Sequence, residues 1–343
     1  MKSYITLAQR KARTKNLTII VSLVIFIIIA FVISMNTGYI KLSPVEVFRT
    51  LFGRGTDQQS LILFEFRLPR ILLSILVGMG LAVSGCVLQG ITRNALADPG
   101  ILGINAGAGL MVMLLISFFP STTDTPVFIL PVLAFTGAGL AATAIYILSY
   151  KRHEGISPVR LLLTGVAVAA GISSAMIILT LRLSPENYQF VATWLAGSIW
   201  GSNWKFVWAL LPWIIILTLF VYVKANVLNV LNLGDLTAVG LGASIEKERR
   251  LLLMAAVGLA GASVSVSGGI GFVGLIGPHV ARQLVGARHQ SLIPTAALIG
   301  GLLVLVADTI GRWMLQPSEI PAGIVVAVIG APYFLYLLSR LKD

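Results

Sequence analysis

The feature that most constrains this chain is a series of long apolar segments separated by short polar ones. Of its 343 residues, 57% are hydrophobic and only 11% are charged, whereas soluble domains contain about 25% charged residues. One soluble core cannot bury so much apolar surface, so the chain must cross a bilayer repeatedly. The 34 glycines fit this interpretation, because small residues let membrane helices approach closely.

The apolar segments predict an all-α polytopic membrane protein with about ten transmembrane helices. The predicted spans lie at about 17–35, 70–91, 101–119, 127–149, 159–181, 206–223, 251–267, 270–284, 292–311 and 320–338. The seventh and eighth share one charge-free run of about 31 residues, which at about 1.5 Å per residue is too long for one hydrocarbon core. We expect this run to break at Ser267-Gly268-Gly269.

Basic residues predict that both termini lie in the cytoplasm. The N-terminal tail, residues 1–16, is rich in lysine and arginine, and Arg340 and Lys342 lie near the C-terminus. Cytoplasmic segments attract such residues, so the number of spans should be even. We therefore expect one multi-pass domain, residues 1–343, with both termini on the cytoplasmic side. The net charge of +12 is scattered between spans, which argues against nucleic-acid binding.

Residues 80–103 predict a membrane hairpin with a structured polar tip. A helix of small apolar residues runs into a turn that contains Arg93, Asn94, Asp98 and Pro99, and a second apolar segment begins at Ile101. The charge pattern places this tip in the cytoplasm. A tip of such specific composition indicates a surface that another protein contacts.

Among the basic residues that the predicted topology places outside, three arginines lie at the ends of spans. Arg67 and Arg70 lie at the outer entrance of the second span, with Pro69 in the first helical turn, and Arg312 lies at the outer end of the ninth. They could simply anchor helix ends at the interface. Alternatively, they form an outward basic platform for carboxylates of a docking protein, because the arginine fork pairs carboxylates bidentately.

Asp308 is the one acid well inside a predicted span. It lies four residues from Arg312 on the same helix face, which predicts an ion pair. An intramembrane carboxylate is also a candidate for a proton relay. A proton-coupled secondary transporter is therefore the alternative function, although such a carrier would be expected to have further buried acids.

The longest inner segment, residues 229–250, predicts a compact knob. Gly234-Asp235 opens a short helix with an acid in its first turn, Gly240 and Gly242 can end it, and a charged helix follows. A plain amphipathic linker is the alternative.

The sequence predicts neither catalysis nor a cofactor or metal site. It contains no Gly-x-x-x-x-Gly-Lys-[Ser/Thr] phosphate loop, no Gly-x-Ser-x-Gly and no His-Glu-x-x-His. None of its three histidines has a partner at metal-ligand spacing.

Several motifs, taken in order, resemble those of one known family. They are Arg67-Leu-Pro-Arg70, the block from Ser84 to Gly107, Trp194 to Gly201, Gly269 to Arg282, Ala307-Asp308, Glu319-Ile-Pro-Ala-Gly323 and Gly330-Ala-Pro-Tyr-Phe334. The chain resembles the FecCD-type permeases of ATP-binding-cassette (ABC) importers for ferric siderophores, which are related to the cobalamin permease BtuC.

The resemblance implies a BtuC-like fold of the type II importers and a permease subunit that lacks ATPase activity of its own. Its implied partners are a second permease, two cytoplasmic ATP-binding subunits and an extracytoplasmic substrate-binding protein. A heterodimer of permeases is favoured, and a homodimer stays open. Ferric siderophore is the expected substrate, with cobalamin or heme as alternatives.

The resemblance also assigns roles to residues. Arg67, Arg70 and Arg312 match arginines that meet glutamates of the binding protein. The segment around the short inner helix matches the element that fits into a groove of the ATPase. Its predicted coupling residues are Gly234, Asp235, Leu236, Ala238, Gly240, Leu241 and Gly242.

Overall fold

A computed structural model describes residues 7–38, 40, 42–119, 127–152, 155–240 and 244–340. Most of these residues are helical. The helices are α1 (Leu7–Asn36), α2 (Pro44–Leu51), α3 (Asp57–Ser60), α4 (Leu68–Thr92), α5 (Ile104–Phe118), α6 (Ile129–Ser149), α7 (Pro158–Thr180), α8 (Pro185–Leu195), α9 (Trp204–Val223), α10 (Ala225–Asn232), α11 (Asp235–Gly240), α12 (Ile245–Ser267), α13 (Val273–Val285), α14 (His289–Met314) and α15 (Ala322–Arg340).

Three short elements complete the described fold. A π-helix at Leu61–Arg67 leads into α4, and a 3₁₀ helix at Pro99–Leu102 precedes α5. The strands β1 (Tyr150–Lys151) and β2 (Gly155–Ile156) form a small antiparallel pair that joins α6 to α7. The prediction of a predominantly helical membrane fold is confirmed.

Seven helical segments in the described part of the chain are long and apolar enough to cross a bilayer. They are Arg10–Asn36, Asp57–Thr92, Ile129–Ser149, Pro158–Thr180, Trp204–Val223, Ile245–Ser267 and His289–Met314. The apolar helices α5 and α15 are shorter. The 13 residues of α13 rise only about 20 Å, which is less than the hydrocarbon core. A helix lies in each predicted span, but the count of ten crossings stays a prediction.

The helix α4 lies at the centre of the fold and is buried over most of its length. It packs against α14, α12, α13 and α9. Glycines make these contacts close: a Cβ on Gly78 would lie 2.1 Å from the carbonyl oxygen of Gly300, and one on Gly85 would lie 1.9 Å from that of Gly274. The backbones of α4, α13 and α14 therefore touch, as small residues permit between membrane helices.

The predicted break in the long apolar run is confirmed. The helix α12 ends at Ser267, and Gly268 adopts a φ of +67°, with Phe272 also left-handed before α13. A Cβ on Gly268 would lie 1.9 Å from the carbonyl oxygen of Trp194. Both the backbone conformation and the lack of space therefore require glycine at this corner.

Two helix N-termini have a defined local structure. The helix α2 has a capping box, in which Ser43 and Glu46 each accept a hydrogen bond from the other's backbone N–H. At the N-terminus, α1 begins at Leu7, so much of the basic segment predicted as a tail is helical. Residues 1–6 lie outside the described part, and the side of the membrane stays a prediction.

Candidate functional site

The first candidate site is built around Arg67, at the end of the π-helix that leads into α4. Its side chain is 6% exposed. The guanidinium donates hydrogen bonds to two backbone carbonyl oxygens, that of Met35 at the end of α1 and that of Ile40 in the segment after it. Arg67 therefore joins the outer end of α1, as the charge pattern orients the chain, to the start of α4.

One turn later, Arg70 contacts two carboxylates from distant parts of the chain. Its Nε and Nη2 atoms donate to Asp308 in α14 at 2.8–3.2 Å. Its Nη1 atom donates to Glu319, just before α15, at 2.8 Å. Arg70 thus ties α4 to both C-terminal helices by charge-assisted hydrogen bonds.

Asp308 is shared with Arg312, and this confirms the ion pair predicted from their spacing. The Nε atom of Arg312 donates to Asp308 at 3.0 Å, and its Nη1 atom donates to the carbonyl oxygen of Thr37 at 3.0 Å. Its Nη2 atom donates to the hydroxyl of Ser34. Asp308 is only 1% exposed and is balanced by two guanidinium groups, as a buried charge requires.

The three arginines meet at one cavity of about 250 Å³, together with Glu319. The three guanidinium groups and the carboxylates of Asp308 and Glu319 leave a formal charge of +1. The arginines are mostly buried and paired inside the chain rather than spread over an open platform. Their predicted role in docking is compatible with this cavity but depends on a partner.

Sequence reasoning missed the partners that complete this cluster. The pairing of Arg70 with Asp308 could have been inferred from the rule that charges within a membrane need opposite charges nearby. Ser34 and the carbonyl groups near Thr37 carry no such signal, because many serines and every residue offer the same groups.

The second candidate site joins the predicted hairpin tip to the predicted knob. Arg93 ends α4 in a left-handed conformation with a φ of 52°. Its Nη2 atom lies 3.1 Å from Asp235 Oδ1, and Arg249 Nη2 of α12 lies 2.7 Å from the same oxygen. Asp235, at the start of α11, is therefore held between the ends of two central helices.

The helix α11 exposes apolar side chains on the surface of the chain. Leu236 is 93% exposed and Val239 is also exposed, whereas Ala238 is buried beneath them. Gly234 precedes the helix with a φ of +103°, and the helix ends at Gly240. Leu241 and Gly242, which were also predicted to couple, lie outside the described residues.

The remaining tip residues stabilise the tip itself. Asn94 Oδ1 accepts a hydrogen bond from Leu96 N at 2.9 Å. Asp98 Oδ1 accepts one from Gly100 N at 2.8 Å, which caps the 3₁₀ helix in which Pro99 is buried. Burial raises the pKa of Asp98 to about 6, although the Gly100 hydrogen bond opposes that rise.

The described residues do not bring three His, Cys, Asp or Glu side chains together as metal ligands. Most of the charged side chains of both sites are held by ion pairs.

The sequence of the chain is similar to those of known transport proteins. The model of the FecCD transport family matches residues 26–340. An iron(3+)-hydroxamate import system permease protein, FhuG of Bacillus subtilis, is 51% identical over 96% of this chain and 99% of its own length. An Fe(3+)-citrate import system permease protein of the same organism, YfmE, is 44% identical over 96% of this chain and 97% of its own length.

A solved structure shows the same fold. It is described as an inward-facing conformation of a putative metal-chelate type ABC transporter. It has 31% sequence identity with this chain and a TM-score of 0.83, and the match covers 94% of this chain and 99% of the other.

Proposed function

The chain belongs to the FecCD transport family, and from that membership we propose that it is the permease subunit of an ABC importer for ferric siderophores. The observation that carries this proposal is the 51% identity to an iron(3+)-hydroxamate permease along nearly both whole chains. The chain is a transport subunit rather than an enzyme, and ATP hydrolysis is assigned to partner subunits.

The proposed mechanism is alternating access in the bacterial cytoplasmic membrane. A loaded binding protein docks outside, ATP closes two ATPase subunits inside, and the helices expose the pathway to each side in turn. The proposed assembly has a second permease, with a different chain favoured. We assign the lining of this pathway to α7, which is among the least buried of the membrane-crossing candidates.

We assign docking of the binding protein to the cavity at Arg67, Arg70 and Arg312. The net positive charge of this cavity favours an approaching carboxylate. Glu319 is the most exposed member of the cluster, with 35% of its side chain accessible. An acidic side chain of the partner could therefore compete with Glu319 for Arg70.

We assign ATPase contact to α11. The exposed side chain of Leu236 offers an apolar contact, because covering apolar surface by a partner removes it from water. Motion of α11 would reach α4 through Arg93 and α12 through Arg249, because Asp235 binds both. The described contacts thus give a direct route from an ATPase to the centre of the permease.

Uptake of radiolabelled iron tests this proposal. The assay uses cells that lack their own siderophore permeases and that express the chain with the subunits of its importer. Iron is supplied as a ferric hydroxamate, with ferric citrate and hemin in parallel. We expect accumulation from the hydroxamate, and loss of most accumulation in Leu236→Glu at an unchanged membrane level.

Val45→Glu is the matched control, because Val45 is an exposed apolar residue on α2. It should transport normally. Uptake from hemin alone would overturn the substrate assignment, and normal uptake by Leu236→Glu would overturn the coupling assignment.

A further inference from the structure

A long apolar groove lies between α6, α9 and α12. Its first part has a volume of about 390 Å³, and Gly139 and Met254 contribute to its walls. A second part of about 200 Å³ continues along the same helices. Phe135 and Trp213 line both parts, and their ring centroids are 5.0 Å apart, so the two rings mark the boundary between the parts.

One end of the first part is polar. The Nε atom of Arg250 donates a hydrogen bond to the hydroxyl of Tyr146 at 3.2 Å, and both residues line the groove. Arg250 is exposed, and no described carboxylate lies within ion-pair distance of it. The ring of Tyr150 stacks near that of Tyr146, and tyrosines are enriched where a membrane protein meets the headgroup region.

We propose that this groove binds an anionic glycerophospholipid, with the phosphate at Arg250 and Tyr146 and one acyl chain in the apolar part. From Tyr146 to Phe135, α6 rises by about 16 Å, which matches the ~15 Å thickness of one leaflet's hydrocarbon layer. Arginine suits a phosphate because its fork binds two oxygens and is weakly hydrated. Basic sites between membrane helices are a known form of headgroup recognition.

The position of this site gives it a structural consequence. Arg250 follows Arg249, which holds Asp235 of α11. A lipid headgroup at Arg250 would therefore stabilise the first turns of α12, which contact α11 through Arg249.

Quenching of tryptophan fluorescence by brominated lipids tests the site. The full-length chain, with the subunits that co-purify with it, is placed in bilayers with increasing fractions of dibrominated phosphatidylglycerol or phosphatidylcholine. The difference between wild type and Trp213→Phe isolates the signal of Trp213. We expect this signal to be quenched at about fivefold lower fractions of the anionic lipid.

Two variants separate the headgroup from the chain. Arg250→Gln should remove the preference for phosphatidylglycerol, whereas Arg288→Gln, the same change at an exposed arginine outside the groove, should keep it. Gly139→Leu should protect Trp213 from both lipids. A Cβ on Gly139 meets no atom within 4 Å, and Gly171 in α7 is equally open, so Gly171→Leu controls for added bulk.

Equal quenching of wild-type Trp213 by the two lipids would overturn the proposal, since it would indicate ordinary surrounding lipid. A preference that survives in Arg250→Gln, or that is lost equally in Arg288→Gln, would also overturn it.

Discussion

Asp308 is the residue on which the outer arginine cluster depends. It is almost fully buried, and it accepts hydrogen bonds from both Arg70 and Arg312. The protein tolerates this charge inside the fold only because two opposite charges meet it. The arrangement explains why a lone carboxylate in a span need not be a proton carrier: its position is explained by pairing alone.

Replacement of Asp308 by Asn should strongly destabilise the fold. It would replace the carboxylate that Arg70 and Arg312 share by a neutral amide, and breaking a buried ion pair costs about 3–5 kcal/mol. Denaturant titration of the chain in micelles measures this loss. Glu319→Gln is the control, because a partly exposed pair contributes about 1 kcal/mol or less. Equal losses in the two variants would contradict the central role of Asp308.

The burial of Asp98 at the hairpin tip should make the stability of the fold depend on pH. Its pKa lies at about 6, above its ordinary value of 3.8, so the folded chain holds this proton more tightly than the unfolded chain. The resulting stabilisation is complete below pH 3.8 and is lost as the pH rises through about 6. Asp98→Asn, which keeps the acceptor for Gly100, should therefore match wild type at low pH.

At pH 8, Asp98→Asn should exceed wild type by about 1–2 kcal/mol in free energy of unfolding, which is less than the full shift implies because the residue keeps some contact with solvent. Denaturant titrations at the two pH values give this comparison. Asp57→Asn, at an exposed acid in α3, serves as control. A wild-type stability that does not fall between pH 4 and pH 8 would argue against the assignment.

At the scale of elements, contacts between glycines on neighbouring helices position α4. Gly78 meets Gly300 of α14, and Gly85 meets Gly274 of α13. Because these backbones touch, α4 has no room for even one methyl group at either point. The helix α4 carries Arg70 near its start and is capped by Arg93 at its end, so this packing also positions both candidate sites.

Gly85→Ala should therefore force α4 and α13 apart. We expect a loss of several kcal/mol in stability and reduced amounts of folded protein in the membrane, because overpacking against backbone cannot be relieved by a side-chain rotation. Gly139→Ala is the matched control, since a Cβ there meets no atom within 4 Å. It should be neutral or slightly stabilising. Comparable folded yields from both variants would argue against close backbone packing.

At the scale of the whole molecule, burial of the arginines bears on how a binding protein could dock. If an acidic side chain of the partner competes with Glu319 for Arg70, removing the charge of Glu319 should tighten docking. Glu319→Gln should raise the affinity for the binding protein by about fivefold at low salt, with less gain at high salt. The dissociation constant of the loaded binding protein from the complex in bilayers gives this value.

Gln316→Glu tests the reverse change in charge. Gln316 donates a hydrogen bond to the carbonyl oxygen of Arg312, so a glutamate there adds a negative charge near the cluster. It should weaken docking. If neither variant alters the affinity, the docking role is wrong, and the arginines only stabilise the packing of α1, α4, α14 and the segment before α15.

What the sequence determined by itself is local. Its apolar composition required a polytopic membrane fold, and glycine at 268 marked the end of α12. Four-residue spacing paired Asp308 with Arg312, and Asp235 marked the start of α11. Each of these follows from hydropathy, from backbone conformation or from neighbours along one helix, and needs no knowledge of how helices pack.

Only the tertiary structure decided which distant residues meet. Arg70 binds Asp308 across 238 positions of the chain, and Arg93 reaches Asp235 from another helix. The structure also brings Arg67, Arg70 and Arg312 together around one cavity. These outcomes depend on the rotation and separation of whole helices, which the close backbone contacts of α4 set, and no local pattern specifies them.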